Sequence, residues 1–193
     1  MRSPLYSLII FCSLLAVSVQ ALAVEWSRTE LMALLATTTG SEQRYTEIKQ
    51  LAFLERSVVS QGRLIFSPPD RLVKQVDQPD PVHYEIVGDR MSISRPGEAE
   101  QVVRIDAHPL LRLFIDTLRA LLKGDLKLLE QHYSVELTGS RSAWQLHLVP
   151  RDSQLAASVD SLTINGRDKH IEQMVTQEQS GDQTTLTLHN SGE

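Results

Sequence analysis

The chain has 193 residues, a hydrophobic content of 41% and a formal net charge of −5 at pH 7. This mildly acidic composition, which lacks a cluster of basic residues, argues against a nucleic-acid-binding protein and against tight electrostatic adsorption to anionic lipids. A single cysteine excludes an intramolecular disulfide, so the fold must be stabilised by packing.

The amino terminus has the pattern of a secretory signal. An apolar stretch from Leu8 to Val19 follows Arg2 and is too short to span a bilayer comfortably as a helix. Small residues close the segment at Ala23, which predicts cleavage there and a periplasmic protein. Because Val24 and not a cysteine follows the cut, we expect a soluble product with one domain over residues 24–193.

A first helix is predicted next. Ser27 and Glu30 have the spacing of a capping box, and leucines follow at helical intervals from Leu31. A run of threonines and then Gly40 stops the pattern. We therefore expect a helix from about Ser27 to Thr38.

Beyond the first helix, the chain changes to short segments in which apolar and polar residues alternate. This period of two, separated by Gly, Pro, Asn and Asp, predicts about ten half-buried antiparallel strands. Two-residue hairpins are expected at Gly88-Asp89 and at Asn165-Gly166, where the backbone must take positive φ. A further turn is expected at Gly139-Ser140.

One helical block interrupts the strands. Pro109 suits the first position of a helix, and the apolar stripe that runs from there to Leu122 is wider than a surface helix needs. Gly124 ends this helix, and a second short helix is predicted from Asp125 to Gln131.

These elements predict an α+β fold. About ten strands with one apolar face each present more area than two or three helices can cover over a flat sheet. The sheet must therefore curl into an incomplete antiparallel β-barrel, with the helices as a lid. A curved sheet under so small a lid leaves an apolar cavity.

The sequence carries no motif for catalysis, metal binding or a cofactor. Its six histidines are scattered without metal-ligand spacing, and neither HExxH nor a glycine-rich phosphate loop occurs. The glycine before Ser140 lacks the second glycine of a nucleophile elbow. We predict no catalytic residue, no metal and no cofactor, although a dispersed Ser-His-carboxylate triad stays open.

The apolar face is the remaining candidate for function, and Phe53 is counted as part of it. For each residue taken singly, a plain core position is the alternative. Taken together, the following residues are predicted to bind a ligand in the apolar cavity and lid: Leu64, Phe66, Tyr84, Ile86, Met91, Ile93, Leu111, Phe114, Leu118, Trp144, Leu146 and Leu148.

Several motifs resemble those of the periplasmic lipoprotein carriers LolA and LolB. Residues 62–72, GRLIFSPPDRL, contain the G-x-L-x-F strand that runs into a proline, and Gln78-Pro79-Asp80 matches the x-Q-P-x step before the next hairpin. The order of signal peptide, helix, strands, lid and strands is also similar, most of all to the shorter LolA-related carriers encoded with lipid or pigment export systems. This chain departs from the pattern at one position: where LolA has an arginine that ties the lid to the barrel, this chain has Pro68.

The resemblance implies a LolA-like lipid-carrier domain whose concave side takes up acyl chains. The leading hypothesis is a periplasmic carrier that shields the acyl chains of a lipid or lipidated molecule during transfer between membranes. One alternative is an adaptor that carries no cargo and docks onto an inner-membrane exporter or an outer-membrane receptor. Another is an acyl hydrolase. The expected state is a monomer that binds no nucleic acid.

Overall fold

The computed structural model describes residues 26–38, 40–54 and 56–189. The predicted signal peptide therefore lies outside the described residues. Within them the chain forms one sheet of eleven strands, four α-helices and a short 3-10 helix.

The elements follow one another in two runs of strands around a helical block. The strands are β1 (Ser41–Gln50), β2 (Val58–Ser67), β3 (Arg71–Gln78), β4 (Val82–Val87), β5 (Arg90–Ser94), β6 (Gln101–Arg104), β7 (Tyr133–Ser140), β8 (Ala143–Pro150), β9 (Val159–Arg167), β10 (His170–Glu178) and β11 (Gln183–His189). The helices are α1 (Arg28–Leu35), α2 (Pro109–Lys123), α3 (Leu126–His132) and α4 (Ser153–Ala156), and the 3-10 helix is Ile105–Ala107.

The sheet is open and antiparallel throughout. Its strand order is β6-β5-β4-β3-β2-β1-β11-β10-β9-β8-β7, so β1 and β11 join the two runs of strands. The two edges, β6 and β7, flank the helical block in the chain and do not pair with each other. This architecture confirms the predicted incomplete barrel with a helical lid.

The first helix begins where the capping box predicts. The Ser27 hydroxyl accepts a hydrogen bond from the Glu30 amide at 3.2 Å, and the Ser27 amide donates to the Glu30 carboxylate at 2.9 Å. The helix ends at Leu35, short of the expected Thr38. The Thr37 hydroxyl donates to the Leu34 carbonyl at 2.7 Å, so the chain closes its last turn there.

The central helix block also agrees with the prediction. Pro109 occupies the first turn of α2, and Gly124 takes the left-handed conformation at φ 67° that ends it. A Cβ at Gly124 would lie 2.1 Å from the Met32 carbonyl oxygen, so glycine also allows α1 and α2 to approach closely. Asp125 then caps α3 by accepting from the Leu128 amide at 3.0 Å.

Two of the predicted turns are wrong. Asn165 and Gly166 lie inside β9, and the turn falls after Arg167, where Asp168 has φ 49°. Gly166 is a glycine because a Cβ there would lie 2.3 Å from the Trp144 indole. The turn predicted at Gly139-Ser140 falls two residues later, because Gly139 is paired with Trp144 and Ser140 with Ala143 of β8.

Core packing is concentrated on one side of the sheet. We call β7 to β10, with α1 and α3 packed on them, the filled half of the molecule. Its buried cluster consists of Leu31, Met32, Leu35, Ala120, Leu121, Leu129, Tyr133, Val135, Trp144, Leu146, Leu148, Leu155, Leu162, Ile164 and Met174.

Candidate functional site

A cavity of about 700 Å³ lies between the sheet and α2, lined by strands β1 to β4, β10 and β11, and it shares Leu121 and Met174 with the core cluster. We call β1 to β4 and the part of α2 above them the hollow half, and α2 the lid. Ligand pockets in proteins are typically about 300–1,000 Å³, so the cavity is large enough for a small lipid.

The lid contributes one apolar stripe to the cavity. The stripe consists of Leu111, Ile115, Leu118, Leu121 and Leu122, which recur at helical spacing. At the level of the backbone, α2 makes its main contacts with α1, α3, α4 and the 3-10 helix. The lid is therefore supported by its neighbouring helices and spans the floor of the cavity.

Strand register explains which sheet residues form the floor. Phe66 is paired with Leu72, and Leu72 is paired with Ile86. Because directly paired residues project from the same face, these three side chains form one row across the sheet. Two residues along each strand, Leu64, Lys74 and Tyr84 form the next row on that face.

Half of the twelve predicted site residues line this cavity. These six are Leu64, Phe66, Tyr84, Ile86, Leu111 and Leu118. Met91 and Ile93 are paired with Ile86 and Tyr84, so they lie one strand further out on the same face and are half-buried there. The side chain of Phe114 lies outside the described part of the structure.

Trp144, Leu146 and Leu148 do not line the cavity and lie in the core of the filled half. They are 2%, 0% and 0% exposed, respectively, because the helices pack directly on that part of the sheet. The Trp144 indole also donates to the Asp168 carbonyl at 2.9 Å. Phe53, counted on the apolar face from sequence, is 79% exposed in the β1–β2 connection.

The cavity floor holds an ion pair that sequence reasoning missed. The Lys74 ammonium lies 2.7 Å from the Glu47 carboxylate, and the Ser60 hydroxyl donates to the other carboxylate oxygen at 3.4 Å. All three residues line the cavity. The sequence of β1 does not mark it as part of the cavity wall, because residues 41, 43 and 47 on its concave face are polar and the strand lacks an apolar alternation there.

Tyr45 lies beneath this ion pair. The Lys74 ammonium is 5.2 Å from the centre of the Tyr45 ring, within the range of a cation–π contact. Burial, and after it the nearby Glu47 carboxylate, raise the pKa of Tyr45 to about 12. Tyr45 is therefore an uncharged phenol at neutral pH and supports Lys74 without adding charge.

The lid is tied to the rim of the sheet by Arg119. Its guanidinium donates to the carbonyls of Gly88 at 2.5 Å and Asp70 at 3.4 Å, in the turns after β4 and β2. The Asp70 carboxylate in turn accepts from the Gly88 amide at 3.1 Å. On the opposite side, the hydroxyls of Thr117 and Tyr133 share a buried hydrogen bond of 2.7 Å, which holds α2 to the filled half.

Within residues 26–38, 40–54 and 56–189, no group of His, Cys, Asp and Glu side chains could hold a metal ion. Over the same part of the chain, no helix is long and apolar enough to cross a membrane.

An open antiparallel sheet with an apolar cavity beneath a helical lid is the architecture of a binding protein of LolA type. The chain belongs to the family described as outer membrane lipoprotein carrier protein LolA-like, whose model matches residues 16–191. This agrees with the resemblance found in the sequence motifs. No curated protein matches the chain in sequence.

Solved structures are similar to the chain at low identity. A DUF1329 family protein from Desulfovibrio piger has 13% identity and a TM-score of 0.50, with 84% of this chain and 90% of that chain covered. A LolA superfamily protein from Nitrosomonas europaea has 8% identity and a TM-score of 0.44, with 83% and 89% covered. A chain of the Pseudomonas aeruginosa MucA/MucB complex has 15% identity and a TM-score of 0.48, with 83% of this chain and 55% of that chain covered.

Proposed function

We propose that the protein is a periplasmic carrier that shields the acyl chains of a lipid or lipidated molecule during transfer between membranes. The observation that carries the proposal is the cavity of about 700 Å³ lined by apolar residues of both sheet and lid. Burying a methylene gains about 0.8 kcal/mol, so a long acyl chain gains on the order of 10 kcal/mol before costs.

Delivery requires that this affinity be limited. A lid that already covers its floor when empty satisfies part of the surface that a ligand would bury, which lowers the net gain on binding. The lid is held at the rim by hydrogen bonds from one side chain, Arg119, to two backbone carbonyls. Opening therefore requires few polar contacts to break.

The test combines native extraction with a matched pair of variants. Leu64→Gln places an amide in the cavity wall, whereas Val149→Gln makes the same kind of change at a residue that is 40% exposed on β8. We expect the first variant to bind a labelled acyl lipid at least about tenfold more weakly, because an amide in an apolar site is poorly solvated. The control should bind as the wild type does.

Mass spectrometry of the native protein gives the decisive observation. Protein purified from the periplasm is expected to carry an acyl species, and protein exposed to labelled acyl lipids to take one up. The carrier proposal fails if the protein is empty after both treatments. Amino-terminal sequencing of the same material checks the predicted cleavage after Ala23.

A second candidate, the adaptor, is favoured by one observation. The β1–β2 connection and the start of β2 present an exposed apolar patch, in which Phe53, Leu54, Val58 and Val59 are 79%, 50%, 50% and 46% exposed. Such patches mark interaction sites. In an adaptor docked onto a membrane exporter or receptor through this patch, Phe53→Ser abolishes partner binding, whereas a carrier with this change keeps its lipid.

The acyl-hydrolase alternative gains no support from the cavity. Two serines of the described residues line the cavity, Ser41 and Ser60, and Ser60 donates to Glu47 and not to a histidine. A nucleophilic serine needs a base that accepts its proton and is itself oriented by a third group.

A further inference from the structure

The ion pair on the cavity floor is the least expected feature of an acyl-binding site. Glu47 on β1 and Lys74 on β3 meet across β2, where Gly62 lies between their rows and has no side chain. A Cβ at Gly62 would lie 1.8 Å from the Gln75 carbonyl oxygen, so this position is restricted to glycine. The long Lys74 side chain then reaches across the floor over the Tyr45 ring.

Apolar side chains lie on both sides of the pair, whose own side chains are partly exposed. Leu64 and Tyr84 share the row of Lys74, and Leu186 is paired with Glu47 on its other side. An alkyl chain that fills the cavity expels water from this floor. Charges in such a medium interact more strongly, and a polar group that loses water needs a partner.

The net charge of the floor is zero. Lys74 and Glu47 balance each other, Lys169 and Asp80 do the same, and His170, which also lines the cavity, is counted as neutral. Lys74 has N–H groups beyond the one directed at Glu47, and the Glu47 carboxylate has further lone pairs. The floor therefore offers both donors and acceptors without an excess of either charge.

We propose that the Glu47–Lys74 pair selects acyl ligands with an uncharged head group, such as an ester or amide, and excludes free fatty acids. A neutral head that bears a carbonyl and a hydroxyl can accept from Lys74 and donate to Glu47. A fatty carboxylate brings a like charge to Glu47 in a dry site, which is unfavourable. This inference rests on the proposed carrier function and specifies the class of its ligand.

The experiment compares two ligands of equal chain length, hexadecanoic acid and its glycerol monoester, by displacement of a fluorescent acyl probe from the mature protein. Glu47→Gln removes the carboxylate from the floor. Glu42→Gln removes the same charge from the same strand but from the opposite, exposed face, where Glu42 lies 3.3 Å from Arg63. Both variants have the same net charge, so only position differs.

Wild-type protein and Glu42→Gln are expected to prefer the ester by about tenfold or more, since a like charge near the half-buried Glu47 carboxylate is costly once an acyl chain excludes water. In Glu47→Gln the unpaired Lys74 attracts the acid, so its affinity rises about tenfold while that of the ester changes little. Lys74→Met removes the partner of Glu47, and this variant is expected to have the lowest affinity for the acid.

Equal affinity of the wild type for the two ligands overturns the selection by head group, and this measurement needs no variant. An unchanged preference in a folded Glu47→Gln protein overturns the role of the pair. If the wild type binds neither ligand nor the probe, the carrier function itself fails, and the head-group inference fails with it. Circular dichroism establishes that each variant is folded.

Discussion

The filled half and the hollow half of the sheet differ in what covers them. Strands β8 and β9 carry Leu146 and Ile164, both 0% exposed, beneath helices that pack directly on them. Strands β2 and β4 carry Leu64 and Tyr84 in the same alternating pattern, but these side chains face a cavity. The same strand pattern thus lines a packed core in one place and a cavity in the other, and the helices that cover each half make the difference.

The comparison predicts its largest effect in the filled half. Leu146→Ala should lower the free energy of unfolding by about 2–5 kcal/mol, because it opens a void where neighbours cannot collapse. Leu64→Ala should cost less than about 1.5 kcal/mol, since its side chain already borders open space. Urea unfolding of the two variants measures the difference, and equal losses would show that the hollow half is packed as densely as the other.

The contact between α1 and α2 gives the next effect. Gly124→Ala should destabilise the protein by about 1–3 kcal/mol, because the added Cβ would lie 2.1 Å from the Met32 carbonyl and the backbone has positive φ. Gly97→Ala serves as the control, since Gly97 also has positive φ but has no atom within 4 Å of the added Cβ. Thermal unfolding should therefore show a clearly larger decrease for Gly124→Ala, and equal decreases would mean that contact with α1 contributes nothing.

Loss of the lid tie should affect the hollow half alone. Arg119→Met removes the hydrogen bonds to Gly88 and Asp70, each worth about 1 kcal/mol, and should speed amide exchange in α2 and ligand dissociation. Arg112→Met, on the exposed side of the same helix near Asp116, is the control and should do neither. Faster exchange in β8 and β9 as well would indicate global destabilisation.

The smallest effect concerns pH. Burial raises the pKa of Tyr45 from its usual value near 10 to about 12. The folded state therefore retains a proton that the unfolded state loses, so stability declines as pH rises from about 10 to 12. Tyr45→Phe should remove this component of the alkaline decline, and an unchanged profile in urea titrations at each pH would show that Tyr45 does not contribute.

Much of the fold follows from local sequence. Local patterns predict the capping box at Ser27, the ends of α2 at Pro109 and Gly124, and the period-two strands. The structure agrees with each of these predictions. The hairpin turn predicted at Asn165-Gly166 is wrong, because the packing of Trp144 requires the glycine and no turn occurs there. A two-residue pattern does not reveal which of these reasons selected the glycine.

The candidate site was less predictable because it depends on distant pairing. Periodicity assigns Leu64 and Leu146 equally well to the concave face, but only the docking of α1 and α3 separates cavity from core. Glu47 and Lys74 lie 27 residues apart and meet through the register of three strands. Their type and spacing carry no motif that a sequence would show.

Where an acyl chain lies in the protein tests the central claim most directly. NMR of the protein bound to a ¹³C-labelled hexadecanoyl ester can detect magnetisation transfer from the chain to individual leucine methyl groups. We predict transfer to Leu64 and Leu118 and none to Leu146 or Leu148, which are 0% exposed in the core. Transfer only to the exposed Leu54, or to no leucine of the cavity, would contradict the account.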